Sequence, residues 1–151
     1  MQRWIAAGVV AMMLFSGGGW FAYRIYKQNR PHPVWVPLQI NPELPVAKRD
    51  EAINELKTKL AKQELLIRVS RDVGLVSKWH LASDAEGARI ISERLFVKAG
   101  DADTPMGKVP AIHIGVKGKF KESGVSGEIA MRLMDDVWKI LGIDPPAKPN
   151  P

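Results

Sequence analysis

The chain has 151 residues, 22 Lys and Arg against 16 Asp and Glu, and no cysteine. That length suits one modest domain with a core of its own, and the lack of cysteine excludes a disulfide framework, a thiolate metal site and a lipid-modified N-terminal cysteine. The formal charge of +6 divides unevenly: residues 1–30 carry Arg3, Arg24, Lys27 and Arg30 with no acid, whereas residues 31–151 set 18 bases against 16 acids. The basicity thus belongs to the N-terminal flank, where it suits anionic headgroups, and the nearly balanced remainder speaks against nucleic acid as a partner.

Residues 4–23, WIAAGVVAMMLFSGGGWFAY, run without a charge. At 1.5 Å rise per residue such a helix reaches the roughly 30 Å of a bilayer's hydrocarbon core. Trp4 stands at one end and Trp20, Phe21 and Tyr23 at the other, where amphipathic rings favour the membrane interface, and Arg24 and Lys27 follow at headgroup depth. The expectation is an uncleaved single-pass anchor in the cytoplasmic (inner) membrane, with the lipid bilayer as first partner. A cleaved signal peptide is the alternative, with Met1–Arg3 as its basic start, although no A-x-A site is present and apolar character resumes at Trp20. A buried soluble helix is the third reading, because three consecutive glycines at 17–19 suit none of these helices well. Positive-inside counting sets the α-amine and Arg3 against Arg24, Lys27 and Arg30, which favours a cytoplasmic C-terminus by one charge. Ala7/Ala11 and Gly18/Ala22 are small-xxx-small pairs through which copies can pack into a homo-oligomer.

Residues 31–47 read as a stiff, proline-rich linker with prolines at 31, 33, 37, 42 and 45. Residues 34–40 are predicted as a strand within it; Pro37 cannot donate to a ladder, so the strand belongs at an edge or a bulge. An α+β domain is expected over 48–142. Its first helix covers 48–61, on Ala52, Ile53, Leu56 and Leu60, and a second covers 63–73, on Leu65, Leu66, Val69 and Val73, with Gly74 ending it. A short helical turn follows over 75–80, and Ser83-Asp84-Ala85-Glu86 opens a third helix with a cap signature. Strands are predicted over 95–98 and 109–117, joined by a loop with a turn at Thr104-Pro105-Met106-Gly107. In the second strand Ile112, Ile114 and Val116 share one face and Ala111, His113, Gly115 and Lys117 the other. A last helix covers 125–141, on Ile129, Leu133, Val137, Ile140 and Leu141, and residues 143–151 form a proline-rich tail. The pattern predicts a short sheet of two to four strands packed by about four helices.

Chemistry is sparsely written. The loop near residues 100–109 is no phosphate loop, since Ala102 stands where the earlier glycine belongs and Val109 where Ser or Thr does. It is no EF-hand either, because Pro105, Met106 and Ile112 occupy the ligand, glycine and glutamate positions. Asp101 and Asp103 suit a weak surface cation site or, more simply, a solvated hairpin. His32, His80 and His113 are scattered without metal-ligand spacing; His113 is the best functional candidate among them. Asp135 and Asp136 point about 100° apart on a helix and form no acid–base pair. No nucleophile, metalloprotease or dinucleotide motif is present, so neither an enzyme nor a cofactor is expected. Lys117, Lys119 and Lys121, with His113, make a candidate binding face: a solvated loop, or a contact for anionic headgroups or an acidic polymer.

The block from Glu64 onwards, ELLIRVSRDVGL followed by Lys78-Trp79, resembles the membrane-proximal domain of Wzz-type polysaccharide chain-length determinants, the polysaccharide co-polymerases. It is similar too to the N-terminal domain of bacterial tyrosine kinases. Leu95-Phe96-Val97 and Ile112-His113-Ile114-Gly115-Val116 resemble that family's paired strands, and Glu128-Ile129-Ala130-Met131-Arg132-Leu133 the helix after them. The resemblance covers about 80 residues and implies a non-catalytic scaffold whose oligomers set polymer length. It also implies an N-terminus inside, a domain outside the cytoplasmic membrane, and a polysaccharide polymerase or other envelope protein as partner. The family's second span, its long helical extension and any kinase domain have no counterpart here, and residues 48–61 are helical where the family has a strand. The resemblance therefore implies a reduced relative. Two functions are expected: a membrane-anchored scaffold or adaptor in envelope polysaccharide assembly, or a tethered module that binds an anionic polymer, ligand or partner through the Lys117–Lys121 face and the Asp101–Lys108 loop.

Overall fold

Three prolines of the N-terminal run, at 31, 33 and 37, share odd numbering, and in a strand residues of one parity point their N–H groups to one side. In the computed structural model, which describes residues 20–105 and 107–143, this segment is an edge strand, β1 (Pro31–Gln39). It starts three residues before the predicted 34–40. It pairs antiparallel with β3 (Gly107–Lys119), with Val34 opposite Val116 and Leu38 opposite Ile112. Ile40 N donates to Pro110 O at 3.1 Å, so the even residues face the ladder. The missing donors of Pro31, Pro33 and Pro37 therefore all fall on the free outer edge. Only Trp35 and Gln39 keep a donor on that edge, and an edge so depleted resists pairing with another chain.

On the other side of β3 lies β2 (Leu95–Thr104), also antiparallel, giving the sheet order β1-β3-β2. The predicted loop between these strands is corrected. The ladder runs on to Thr104 opposite Gly107, so Asp101 and Asp103 are strand residues facing Pro110 and Lys108. Gly and Asp carry no apolar alternation, and the period of the strand is invisible in them. Gly107 takes φ of 115° at the turn, a conformation that glycine adopts at least cost, and Thr104 Oγ1 donates to its carbonyl at 2.7 Å.

Upstream of β1, residues 20–29 are helical (α1) and exposed. Trp20, Tyr23, Arg24 and Lys27 lie on it, whereas Trp4 and the rest of the expected anchor up to residue 19 lie outside the described residues. Met106 and the proline-rich tail from residue 144 lie outside them as well. Among the described residues no helix is long and apolar enough to cross a membrane.

Between β1 and β2 come α2 (Val46–Leu60), α3 (Gln63–Val73), α4 (Leu75–Trp79) and α5 (Asp84–Arg94). After β3 a 3₁₀ turn (Phe120–Glu122) leads into α6 (Ser123–Leu141). That is five α-helices after β1 where about four are predicted; the additional one is α4, legible beforehand as a helical turn. Gly74, at φ 72°, ends α3 in the left-handed region and donates to Arg71 O and Ser70 O, as a C-cap glycine does. Ser83 Oγ accepts from Glu86 N at 3.3 Å and the Glu86 carboxylate accepts from Ala82 N at 2.9 Å, which satisfies donors that the first turn of α5 leaves free.

The core lies on the even-numbered face of β1 and β3, where Leu38, Ile112, Ile114 and Val116 meet Ile129, Leu133 and Val137 of α6. Leu66 and Val69 of α3 and Leu56 and Leu60 of α2 complete it. Each such side chain contributes about 1.5–3 kcal/mol by leaving water. Leu141, predicted as part of the α6 stripe, is instead exposed beyond the core in the last helical turn. α3 and α5 approach closely because residue 87 is glycine: a Cβ there would stand 2.2 Å from Ser70 Oγ. Ser70 in turn donates to Asp84 Oδ1 at 3.1 Å.

An ion cluster joins α3 to α6. Arg132 Nε donates to Asp72 Oδ2 at 2.8 Å, and its Nη1 lies 2.9 Å from Asp136 Oδ2. Burial acts to lower the Arg132 pKa, but the hydrogen bonds and charges of Asp136 and Asp72 outweigh it and hold the guanidinium above its ordinary value. Lys78 of α4 pairs with Glu128 of α6. Asp136 is thus the buried anion of a structural cluster, while its neighbour Asp135 is exposed.

Candidate functional site

Strand parity divides the sheet. Since Leu95 faces Val116 and Val34 faces Val116, the core face takes the even residues of β1 and β3 and the odd residues of β2. The opposite face carries Pro31, Pro33, Trp35 and Pro37 on β1, His113, Gly115, Lys117 and Lys119 on β3, and Phe96, Lys98 and Gly100 on β2. It is open to solvent at Pro33, Trp35, Pro37, Lys98 and Lys117. Among the described residues of the three strands no Asp or Glu takes a position on it.

Two glycines let the aromatic groups lie down on this face. Trp35 stands directly opposite Gly115, where a Cβ would fall 2.0 Å from Val34 O and 2.6 Å from Trp35 Cα. The indole then covers the side-chain-free strand, as aromatic residues do opposite sheet glycines. Trp35 stacks on His113 with ring centroids 5.5 Å apart and planes 17° off parallel. The imidazole in turn lies over Gly100, where a Cβ would meet its Cε1 at 2.4 Å.

One nitrogen of the His113 ring is bonded. Its Nε2 lies 2.9 Å from Asp101 O; a carbonyl only accepts, so Nε2 carries the proton and donates. Its Nδ1 is buried and offers no open base to a substrate. The expected polar-face histidine is therefore a rigid floor under Trp35. Lys98 Nζ sits 5.8 Å from the Trp35 ring centroid and 5.6 Å from that of Phe96, a cation held between two π faces. Beside it, Pro31, Pro33, Phe96, Lys98, Lys117 and Gly118 line a shallow depression of about 350 Å³. The arrangement offers flat apolar rings flanked by ammonium groups, with no acid to repel an anion. It suits a flat, negatively charged ligand.

No protein-family model, curated protein or solved structure matches the chain. The resemblance to the chain-length determinants rests on its hydrophobic pattern alone. Of the predicted face, Lys117, Lys119 and His113 do share one side of β3, but Lys121 does not. It sits in the 3₁₀ turn and lines a groove with Lys78, Trp79, Arg94, Glu122 and Val125, where Arg94 pairs with Glu122 at 2.8 Å and lies 5.1 Å from the Trp79 ring centroid. The three-lysine run is split by the turn at Phe120. Sequence reasoning missed Phe96 and Lys98 and left Trp35 without a ligand role. Their one local signal is the alternation of Phe96 and Lys98 about Val97; the rest depends on pairing across some 80 residues. Among the described residues no three His, Cys, Asp or Glu side chains gather as a metal group would.

Proposed function

We propose that the chain is a non-catalytic adaptor of envelope polysaccharide assembly, held to the cytoplasmic membrane by residues 4–23, which binds an acidic polysaccharide on its open sheet face. The observation that carries this reading is Lys98 between Trp35 and Phe96 on a face without carboxylates. The C–H face of a sugar ring complements the electron-rich face of an indole, and ammonium groups spaced along the strands form charge-assisted hydrogen bonds to carboxylates. The resemblance to chain-length determinants supports the same setting, with the domain outside the membrane and the N-terminus inside.

Binding of the full chain in detergent to a uronate polymer and to neutral dextran tests it. The acidic polymer is expected to bind and dextran is not. Trp35→Ala and Lys98→Ala should each weaken binding about tenfold, as loss of a charge-assisted or stacking contact of some 1.5 kcal/mol does. Equal binding of both polymers, or variants that bind like the parent, would remove the reading.

If the adaptor also works as a scaffold it must self-associate, and the prolines of β1 turn that contact away from the sheet edge and towards the apolar segment. Light scattering on the detergent-solubilised full chain should return a mass above the 16.7 kDa monomer. A strict monomer would leave an adaptor without a scaffold.

A further inference from the structure

Lys119, Phe120 and Lys121 lie 90 residues beyond α1 in the sequence, yet the fold returns them to its side. Phe120 N donates to Arg30 O at 3.0 Å, and the His32 ring meets the Phe120 ring edge-on with centroids 5.5 Å apart. Phe120 shares a depression of about 310 Å³ with Trp20, Tyr23, Arg24, Lys27 and Gln28 of α1. Phe120 thus stands beside the helix that continues the apolar segment, and it is 46% exposed. The charges around it are of one sign. No Asp or Glu occurs between Trp20 and Pro42, nor between Thr104 and Lys121. The nearest acid, Glu122, is consumed: its Oε2 accepts from Lys119 N at 3.2 Å and from Arg94 Nη1 at 2.8 Å.

We infer that Arg24, Lys27, Arg30, Lys119, Phe120 and Lys121 form one collar that docks the domain onto the anionic lipid headgroups of its own bilayer. The inference rests on the membrane-anchor reading of residues 4–23. Three contributions come from α1 and its exit, which lie at headgroup depth whenever the segment spans the membrane. Three come from the far end of β3, which gains that depth only because the 3₁₀ turn is bonded to Arg30. The Phe120 ring enters the interface as interfacial aromatics do, and each lysine near an anionic surface favours the docked state roughly fivefold. Docking fixes the tilt of the domain, with the strands of the open sheet face running away from this corner.

The native chain has no cysteine, so Gly124→Cys gives a single labelling point beside the collar, at a position where an added Cβ meets nothing within 4 Å. With an environment-sensitive fluorophore there, the full chain is incorporated into vesicles of phosphatidylcholine alone or with one-third phosphatidylglycerol, and co-flotation is scored in parallel. The expected result is flotation with both vesicles and a blue-shifted emission in the anionic ones alone. Lys119→Gln with Lys121→Gln should still float but lower the docked-to-free ratio about 25-fold. Flotation with identical emission in both vesicles, or an unchanged shift in the lysine variant, overturns the collar and leaves the anchor standing. Failure to float with either vesicle overturns the anchor and the collar together.

Discussion

Gly115→Ala is expected to lower the melting temperature by about 10 °C, the equivalent of some 3 kcal/mol in a domain of this size. The reason is the identity of the atoms an added methyl meets. They are backbone atoms, Val34 O at 2.0 Å and Trp35 Cα at 2.6 Å, and no rotamer change relieves them. β1 would have to leave β3, taking Leu38, and Val36 packed beside it, from the core. Gly100→Ala provides the contrast, because its methyl meets the His113 ring and a side chain has room to swing. It should disturb the Trp35–His113 stack more than the stability. Thermal unfolding followed by far-ultraviolet circular dichroism decides; a shift below about 2 °C for Gly115→Ala would contradict the described pairing of β1.

Arg132→Ala is the second large effect, with an expected loss of about 3 kcal/mol. Asp136 is only 4% exposed, and without the guanidinium its carboxylate stays in the interior with Lys139 Nζ, 3.9 Å away, as the nearest cation. Asp72, the other partner, is 41% exposed and returns to water. The asymmetry predicts the behaviour of the double variant. Arg132→Met with Asp136→Leu removes both charges at similar volume and should recover most of the loss, since an uncompensated buried ion costs more than a missing pair. Chemical denaturation of parent, single and double variants measures this. A double variant as unstable as Arg132→Ala would show that packing, and not the orphaned charge, sets the cost.

The fold was legible wherever local pattern decides it. Leu65, Leu66, Val69 and Val73 are buried along α3 as their spacing predicts, with Gly74 in the left-handed region after them. The same holds for the Ser83 cap of α5 and for the alternation of Ile112, Ile114 and Val116. What stayed hidden depends on partners distant in sequence. Nothing near Trp35 announces that it will lie across Gly115 and on His113, because the register of β1 against β3 sets that contact. The prolines of β1 carried more information than their composition suggests. Their shared parity marks which side of the strand is the free edge, and this is readable once the segment is known to be strand. Asp101 and Asp103 misled because a strand built from Gly, Ala and Asp has no hydrophobic period. Lys121 misled because a 3₁₀ turn after Lys119 breaks the alternation that the run of lysines invites one to extend.

The binding role of the open sheet face is the central claim, and the tryptophan indoles report on it directly. The chain has five tryptophans, among which Trp35 lies on that face while Trp79 and Trp138 pack against the hydrophobic core. Two-dimensional NMR of the indole N–H signals of the full chain in detergent, titrated with a uronate polymer, follows each ring separately. The Trp35 signal is expected to move with the titration while those of Trp79 and Trp138 stay in place. A stationary Trp35 signal under conditions where the polymer binds would contradict that claim.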